Sequence, residues 1–201
     1  VAVNYRLSPK ATFPDHVDDV KAAVAWVRDH AEELGVDPDF IVLTGGSAGG
    51  HLAALAALDP STGVQGCVPH YGIYDFLDRH RARGRHSLEG FLRKTIMKCS
   101  PVECRDAWDA ASPIAQVGPH APPFFVLHGA FDSMAYVTEA RVFVQSLREA
   151  SSQPVVYAEL PAAQHAFDTF HTVRSTHVVN GVARWLAWLH ATHQARVPGP
   201  R

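Results

Sequence analysis

Residues 40–58 read FIVLTGGSAGGHLAALAAL. The apolar run at its start has the pattern of a buried strand, and the alanine–leucine run from Ala48 that of a helix. Four glycines, Gly45, Gly46, Gly49 and Gly50, join them around Ser47. Glycine is the poorest ordinary residue for either element, so this junction needs backbone freedom or close approach. Gly45 to Gly49 fits G-x-S-x-G, which chance alone places in about one chain in fifteen of this size. Between a strand and a helix the pattern becomes a nucleophile elbow, a strained turn that lifts the serine hydroxyl clear of the sheet. On this reading the residues two before and two after the serine pack too closely for a Cβ, which accounts for Gly45 and Gly49. The helix starting at Ala48 would aim its free amides and positive dipole end at a reacting carbonyl. A phosphate-binding G-x-x-x-x-G-K-[ST] loop is absent, because His51 rather than Lys follows Gly50.

Working outward, Val1 to Tyr5 reads as a short apolar strand. A helix is expected from Asp15 to Leu34, with Val17, Val20, Val24, Val27, Ala31 and Leu34 on one stripe and Gly35 as its stop. Strands are expected at Phe40–Thr44, Val64–His70, Phe124–His128 and Val155–Leu160. Helices are expected at Ala48–Leu58, Tyr136–Ala150 and Phe167–His193. Residues 71–119 lack a strand pattern and read as an insertion with short helices near Leu88–Met97 and Arg105–Ala110. Strands alternating with helices of this length imply a mostly parallel sheet with helices on both faces. The expectation is one α/β domain over residues 1–193 and a disordered tail over 194–201. Ligands of such sheets gather beyond the carboxyl ends of the strands.

Composition narrows the partners. With 18 basic against 20 acidic residues in 201, no electrostatic footprint for nucleic acid is present. No apolar run approaches the ~18 residues of a membrane span. Three cysteines are too few for a disulfide framework; Cys99 and Cys104 read as buried free thiols, with pairing in an oxidising compartment as the alternative. The compartment is not legible, and cytoplasmic is the default expectation. The oligomeric state is not legible either.

YRLSP, FPDHVDDVKAAVAW, GGSAGGHL, FFVLHGAFDS and QHAFD stand in the order and spacing of the α/β-hydrolases. They most resemble the branch related to hormone-sensitive lipase, with its carboxylesterases, polysaccharide deacetylating esterases and kynurenine formamidases. The resemblance runs to about Leu189. It implies the α/β-hydrolase fold, no cofactor and no metal, and a triad in the chain order serine, acid, histidine. Ser47 would be the nucleophile, and Asp132, just past a strand, the acid, with Asp75 as the alternative. His165, in the loop after the last strand, would be the base; His171 and His177 are expected inside the last helix. His128 and His51 are expected to pack rather than react. His190 and His193 have a metal-binding spacing without an evident third ligand.

The Ala48 amide is one expected oxyanion donor; the family's other donors come from an HGGG loop that this sequence does not contain. In the family's strand order 1-2-4-3-5-6-7-8, Val1–Tyr5 would be the fourth strand, with two sheet edges left open, so the chain reads as an N-terminally truncated hydrolase or a truncated gene model. Phe76, Leu77, Leu88, Phe91, Leu92, Met97 and Trp108 either line an acyl pocket or form the insertion's own core. The basic run RHRARGRH at 79–86 is a solvated loop or an attractor of anionic substrate. The resemblance implies a hydrolase of small or medium carboxylic esters. Its alternatives are an amidase, a formamidase, a carbohydrate deacetylase, or a catalytically incomplete binding module.

Overall fold

The computed structural model describes residues 1–84 and 87–196, in two compact units, 1–165 and 166 onward. In the first unit the chain forms α1 (Asp15–Asp29), α2 (Ala31–Leu34), β1 (Val42–Gly46), α3 (Ala48–Ala57) and β2 (Gly66–His70). There follow α4 (Glu89–Leu92), which runs on into a π turn over Arg93–Met97, α5 (Arg105–Ala110), β3 (Phe124–Gly129), α6 (Val137–Ala150) and β4 (Val155–Leu160). The second unit is built on α7 (Val173–Arg196).

The four strands form one parallel sheet in the order β1-β2-β3-β4. The strand order follows chain order, so right-handed crossovers bring α3 and α6 to the same face. There Ala53, Ala54 and Ala57 of α3 and Ala140, Phe143, Val144 and Leu147 of α6 close one core with Phe124 and Val126 of β3. Phe125 and Leu127 point to the opposite face and are buried too. Every residue of β3 is buried, as a central parallel strand requires. Alanines let α3 lie close to β1 and β2, and α1 packs on its outer side through Val17, Val20, Leu52 and Leu55.

Four local expectations are corrected. Residues 1–7 carry no strand, because no ladder partner lies beside them among the described residues. The long first helix breaks at His30 (φ −109°, ψ 18°), whose Nδ1 donates to the Trp26 carbonyl at 2.8 Å while the two rings stack. The last helix starts six residues later than expected, behind a reciprocal cap in which Thr172 N–H bonds Ser175 Oγ (2.8 Å) and Ser175 N–H bonds Thr172 Oγ1 (3.1 Å). His171 therefore precedes α7 rather than lying within it. That helix also continues through Gln194, Ala195 and Arg196, all sound helix formers, so the tail begins no earlier than 197, and 197–201 lie outside the described residues.

The insertion has a core of its own. Phe76, Leu92, Met97, Trp108 and Ala111 cluster there, and Leu77 and Leu88 pack on the cluster. Cys99 and Cys104 are not free thiols but a disulfide, with Cα atoms 6.3 Å apart. The turn between the π segment and α5 points both side chains at the same small core, a proximity that cysteine counting cannot see. Two members of the basic run are consumed internally, Arg79 pairing with Asp75 and Asp109 and Arg83 Nε donating to Glu139 at 2.8 Å, while His80 and Arg81 are exposed. His86 and Arg85 of that run lie outside the described residues. No helix among the described residues is long and apolar enough to cross a membrane.

His51 ties α3 to the segment after β2. Its Nδ1 lies 2.7 Å from the Ile73 carbonyl, which can only accept, so Nδ1 carries the proton. Burial holds this imidazole down to about 4. An unfolded histidine protonates near 6.5, so the unfolded state alone takes up this proton between those values, and stability falls as pH drops through that window. At pH 5 this costs about 2 kcal/mol relative to pH 7. In urea titrations at pH 5 and pH 7, His51→Gln is expected to remove about that much of the difference seen in the parent chain. Equal pH dependence in both proteins would refute it.

Candidate active site

Ser47 sits between β1 and α3 at φ 55°, ψ −118°, a conformation that a residue with a Cβ adopts only under constraint. The constraint is local. Ser47 N–H donates to the His70 carbonyl at the end of β2 (3.0 Å), and His51 N–H donates back to the Ser47 carbonyl (3.0 Å). A Cβ on Gly45 would lie 2.6 Å from the Gly49 carbonyl group, and one on Gly50 2.6 Å from the His70 oxygen. A Cβ on Gly46 would lie 2.6 Å from the Tyr71 hydroxyl. The expectation for Gly49 is corrected: a Cβ there meets nothing within 4 Å. Its backbone is the obstacle that makes Gly45 a glycine, and the close approach on the helix side belongs to Gly50.

Asp132 follows β3. Its Oδ1 accepts the amides of Met134 (2.9 Å) and Ala135 (2.8 Å), leaving Oδ2 facing His165 Nδ1 at 2.7 Å. The side chain of Asp132 is fully buried. The loop after β4 reaches it by folding back across the end of β3. Phe131 N–H bonds the Ala163 carbonyl (2.9 Å), and Gly129 is so close that a Cβ would lie 2.5 Å from that oxygen. Ala162, at φ 53°, takes up the reversal. His165 Nε2 then lies 2.9 Å from Ser47 Oγ. A carboxylate can only accept, so Nδ1 bears the proton and Nε2 is left to receive the hydroxyl proton of Ser47.

The competitors are engaged elsewhere. Asp75 accepts the amides of Leu77 and Arg79 and pairs with the Arg79 guanidinium. His128 is buried, with Nε2 2.7 Å from the Ala135 carbonyl and 3.5 Å from Asp132 Oδ2; burial lowers its affinity for a proton. No group of three or more potential metal ligands occurs among the described residues. Sequence reasoning missed Tyr71, whose ring meets that of His165 edge-on with centroids 4.8 Å apart. The positive φ of a residue just past a strand has no sequence signature.

The amides opening α3, Ala48 included, have no partner within the helix and lie directly after Ser47. Beside Ala48 is a cavity of about 260 Å³, lined mainly by Leu7, Phe13, His51, Leu52, Phe76 and Ile96, with Ser8 and His16 at one side. Of the seven residues expected at an acyl pocket, only Phe76 lines it; Leu92, Met97 and Trp108 are buried in the insertion's core.

A single parallel sheet with a strained serine turn at its carboxyl rim defines an α/β-hydrolase. The BD-FAE family matches residues 1–147, and the chain belongs to that family. It is 47% identical over 213 residues to the probable carboxylic ester hydrolase LipM of Mycobacterium tuberculosis, covering 100% of this chain and 49% of that protein. To the esterase LipQ of the same organism it is 45% identical, covering 94% of this chain and 48% of the relative. The chain thus spans about half the length of these curated relatives. Among solved structures, a truncated carbohydrate esterase from gut microbiota superimposes with a TM-score of 0.78 at 24% identity, over 94% of this chain and 73% of that one. The apo form of Thermogutta terrifontis esterase 2 gives 0.75 at 27% identity, over 92% of this chain and 70% of that one.

The glycines give a sharp contrast. Gly50→Ala is expected to lower the melting temperature by several degrees, since backbone must move. Gly49→Ala is expected to leave it unchanged or raise it, because alanine favours a helix by about 0.5–1 kcal/mol over glycine. Differential scanning calorimetry of the two variants decides; an equal loss in both would contradict the spacing at this turn.

Proposed function

We propose that this chain carries the reacting groups of a serine carboxylester hydrolase and that the protein cleaves small or medium-chain carboxylic esters through an acyl-enzyme on Ser47. The observation carrying this reading is the continuous relay from Asp132 Oδ2 to His165 Nδ1 (2.7 Å) and from His165 Nε2 to Ser47 Oγ (2.9 Å).

In this reaction Ser47 Oγ attacks the ester carbonyl carbon as its proton passes to His165 Nε2. Asp132 stabilises the imidazolium and holds its tautomer. The Ala48 amide and the positive end of α3 receive the negative charge that develops on the carbonyl oxygen. The imidazolium returns the proton to the departing alcohol, leaving the acyl group on Ser47. Water then attacks the acyl carbon with His165 again as base, and the imidazolium returns that proton to Ser47 Oγ as the bond to the acyl carbon breaks and the carboxylic acid leaves.

The cavity of about 260 Å³ beside Ala48 supports a short acyl chain, being smaller than the roughly 300–1,000 Å³ of typical ligand sites. An amide would pass through the same tetrahedral species, but the curated relatives named above are ester hydrolases, which favours esters. A binding module without turnover is the reading the tests below oppose.

A fluorophosphonate is expected to label the chain at Ser47, with no label on Ser47→Ala. A folded sample that stays unlabelled would sink the catalytic reading. His165→Ala is expected to lower kcat on p-nitrophenyl acetate by about 10⁴-fold and Asp132→Asn by about 10²–10⁴-fold. Full turnover in His165→Ala would move the base elsewhere. Turnover should fall from p-nitrophenyl butyrate to the dodecanoate, and a flat series would remove the cavity beside Ala48 from the acyl site.

A further inference from the structure

Tyr71 is buried and has φ 37°, in the left-handed region that residues with a side chain avoid. Such a residue is strained and persists only where its surroundings over-determine it. Those surroundings are specific. Tyr71 N–H donates to the Leu127 carbonyl of β3 at 2.7 Å. Two residues on, the Ile73 carbonyl accepts from His51 of α3 at 2.7 Å. The amides of Tyr74 and Asp75 both donate to the Glu139 carboxylate of α6, the Asp75 bond measuring 2.7 Å. The amide of Phe76 donates to Ser112 Oγ at 3.0 Å. Glu139 is itself buried, with Arg83 Nε 2.8 Å away balancing its charge. Segment 71–76 is thus pinned from β3, α3, α6 and the insertion together.

What this bracing achieves is the placement of one ring. The Tyr71 side chain enters the corner between the end of β1 and the loop that carries His165. Its ring meets the imidazole at 4.8 Å between centroids and 63° between planes. Its hydroxyl lies where Gly46 would otherwise carry a Cβ, 2.6 Å from that position, with two ring carbons at 2.9 Å. Gly46 directly precedes Ser47, so the ring lies between the backbone that leads into the serine and the imidazole. The hydrogen bonds to Asp132 and Ser47 hold the two ring nitrogens of His165 at 2.7 and 2.9 Å, and rotation about χ1 or χ2 would break both. A ring packed edge-on against the imidazole resists those rotations.

We infer that Tyr71 is the positioning residue for His165: its ring resists rotation of the imidazole away from the orientation in which the Nε2 lone pair meets Ser47 Oγ, and Gly46 lacks a side chain to admit it. The inference rests on His165 acting on Ser47, as proposed above. It also explains one glycine of the opening motif that the elbow alone leaves unexplained, because the middle position of G-x-S is unrestricted in that pattern.

The test is a set of variants of the chain assayed on p-nitrophenyl acetate, with fluorophosphonate labelling of Ser47 as a second readout. Tyr71→Ala is expected to lower kcat and the labelling rate together by about tenfold to a hundredfold, the cost of a misplaced catalytic group, while KM moves less than about threefold. Tyr71→Phe, which keeps the ring, is expected to restore most of both. Gly46→Ala should lose kcat beside Tyr71, yet add less than about twofold to the loss already caused by Tyr71→Ala, because the collision partner is gone. If Tyr71→Ala does not fold, Tyr71→Leu replaces it in the same cycle. Parent-like kcat in Tyr71→Ala (or Tyr71→Leu in its place), an equal loss in Tyr71→Phe, or additive losses with Gly46→Ala would each overturn the inference. His165→Ala, run alongside, separates the two levels. If it retains turnover, the hydrolase reading fails; if it loses turnover while Tyr71→Ala does not, only the role of Tyr71 falls. Against a His165→Ala background, Tyr71→Ala should change the residual rate by less than about twofold, since it acts through that ring.

Discussion

The carbonyl oxygen of His70, at the last residue of β2, is where the rest of the structure is anchored. It accepts the amide of Ser47 at 3.0 Å, and it lies where Gly50 would project a Cβ, at 2.6 Å. The first contact stabilises a serine backbone that would otherwise relax out of its positive φ. The second brings the opening turn of α3 against the end of β2. Together they set the height at which the hydroxyl stands above the sheet. That height in turn determines whether an imidazole arriving from the far side, on the loop after β4, can reach it.

Strain recurs along this rim. Ser47, Tyr71 and Ala162 are non-glycine residues with positive φ just past the ends of β1, β2 and β4. Each turns the chain more sharply than a side chain prefers; the amides of Ser47 and Tyr71 donate to the next strand, and beside Ala162 the Ala163 carbonyl accepts from Phe131. Cross-strand bracing makes this possible in a parallel sheet, where the carboxyl ends of all strands lie at one edge and their departing loops can hold one another. The buried Glu139–Arg83 pair belongs to the same bracing. Burial raises the proton affinity of Glu139, so the carboxylate depends on Arg83 and two amides for its charge. Its service is to the geometry of the 71–76 segment.

Legibility from the sequence followed the range of the interactions involved. Strands β2, β3 and β4 and helices α3, α5 and α6 stand within a few residues of their expected bounds, because apolar periodicity over 5–15 residues reports burial directly. The break at His30 was not visible, since a side chain bonding its own helix competes with the next turn only by a small margin. The disulfide, the consumption of Arg79 and Arg83, and the fate of Leu92, Met97 and Trp108 were not visible either. Each depends on how a 49-residue insertion folds on itself, residues 71–119, which periodicity does not encode.

By itself, the order of residues determined that this is a parallel α/β chain with a glycine-bracketed serine at a strand–helix junction. Through the resemblance to the α/β-hydrolases it also pointed to Asp132 as the acid, with Asp75 as the alternative, and to His165 as the imidazole. These are features of local pattern and of connectivity, and both are written along the chain. Tertiary structure alone decided the distances, 2.7 and 2.9 Å, that join the three side chains, and which glycine each close approach requires. It also decided that a tyrosine from the end of the neighbouring strand stands against the histidine. The physical reason is that tenths of an ångström at one rim are set by contacts among four separate loops, whose sequence separations carry no trace of their meeting.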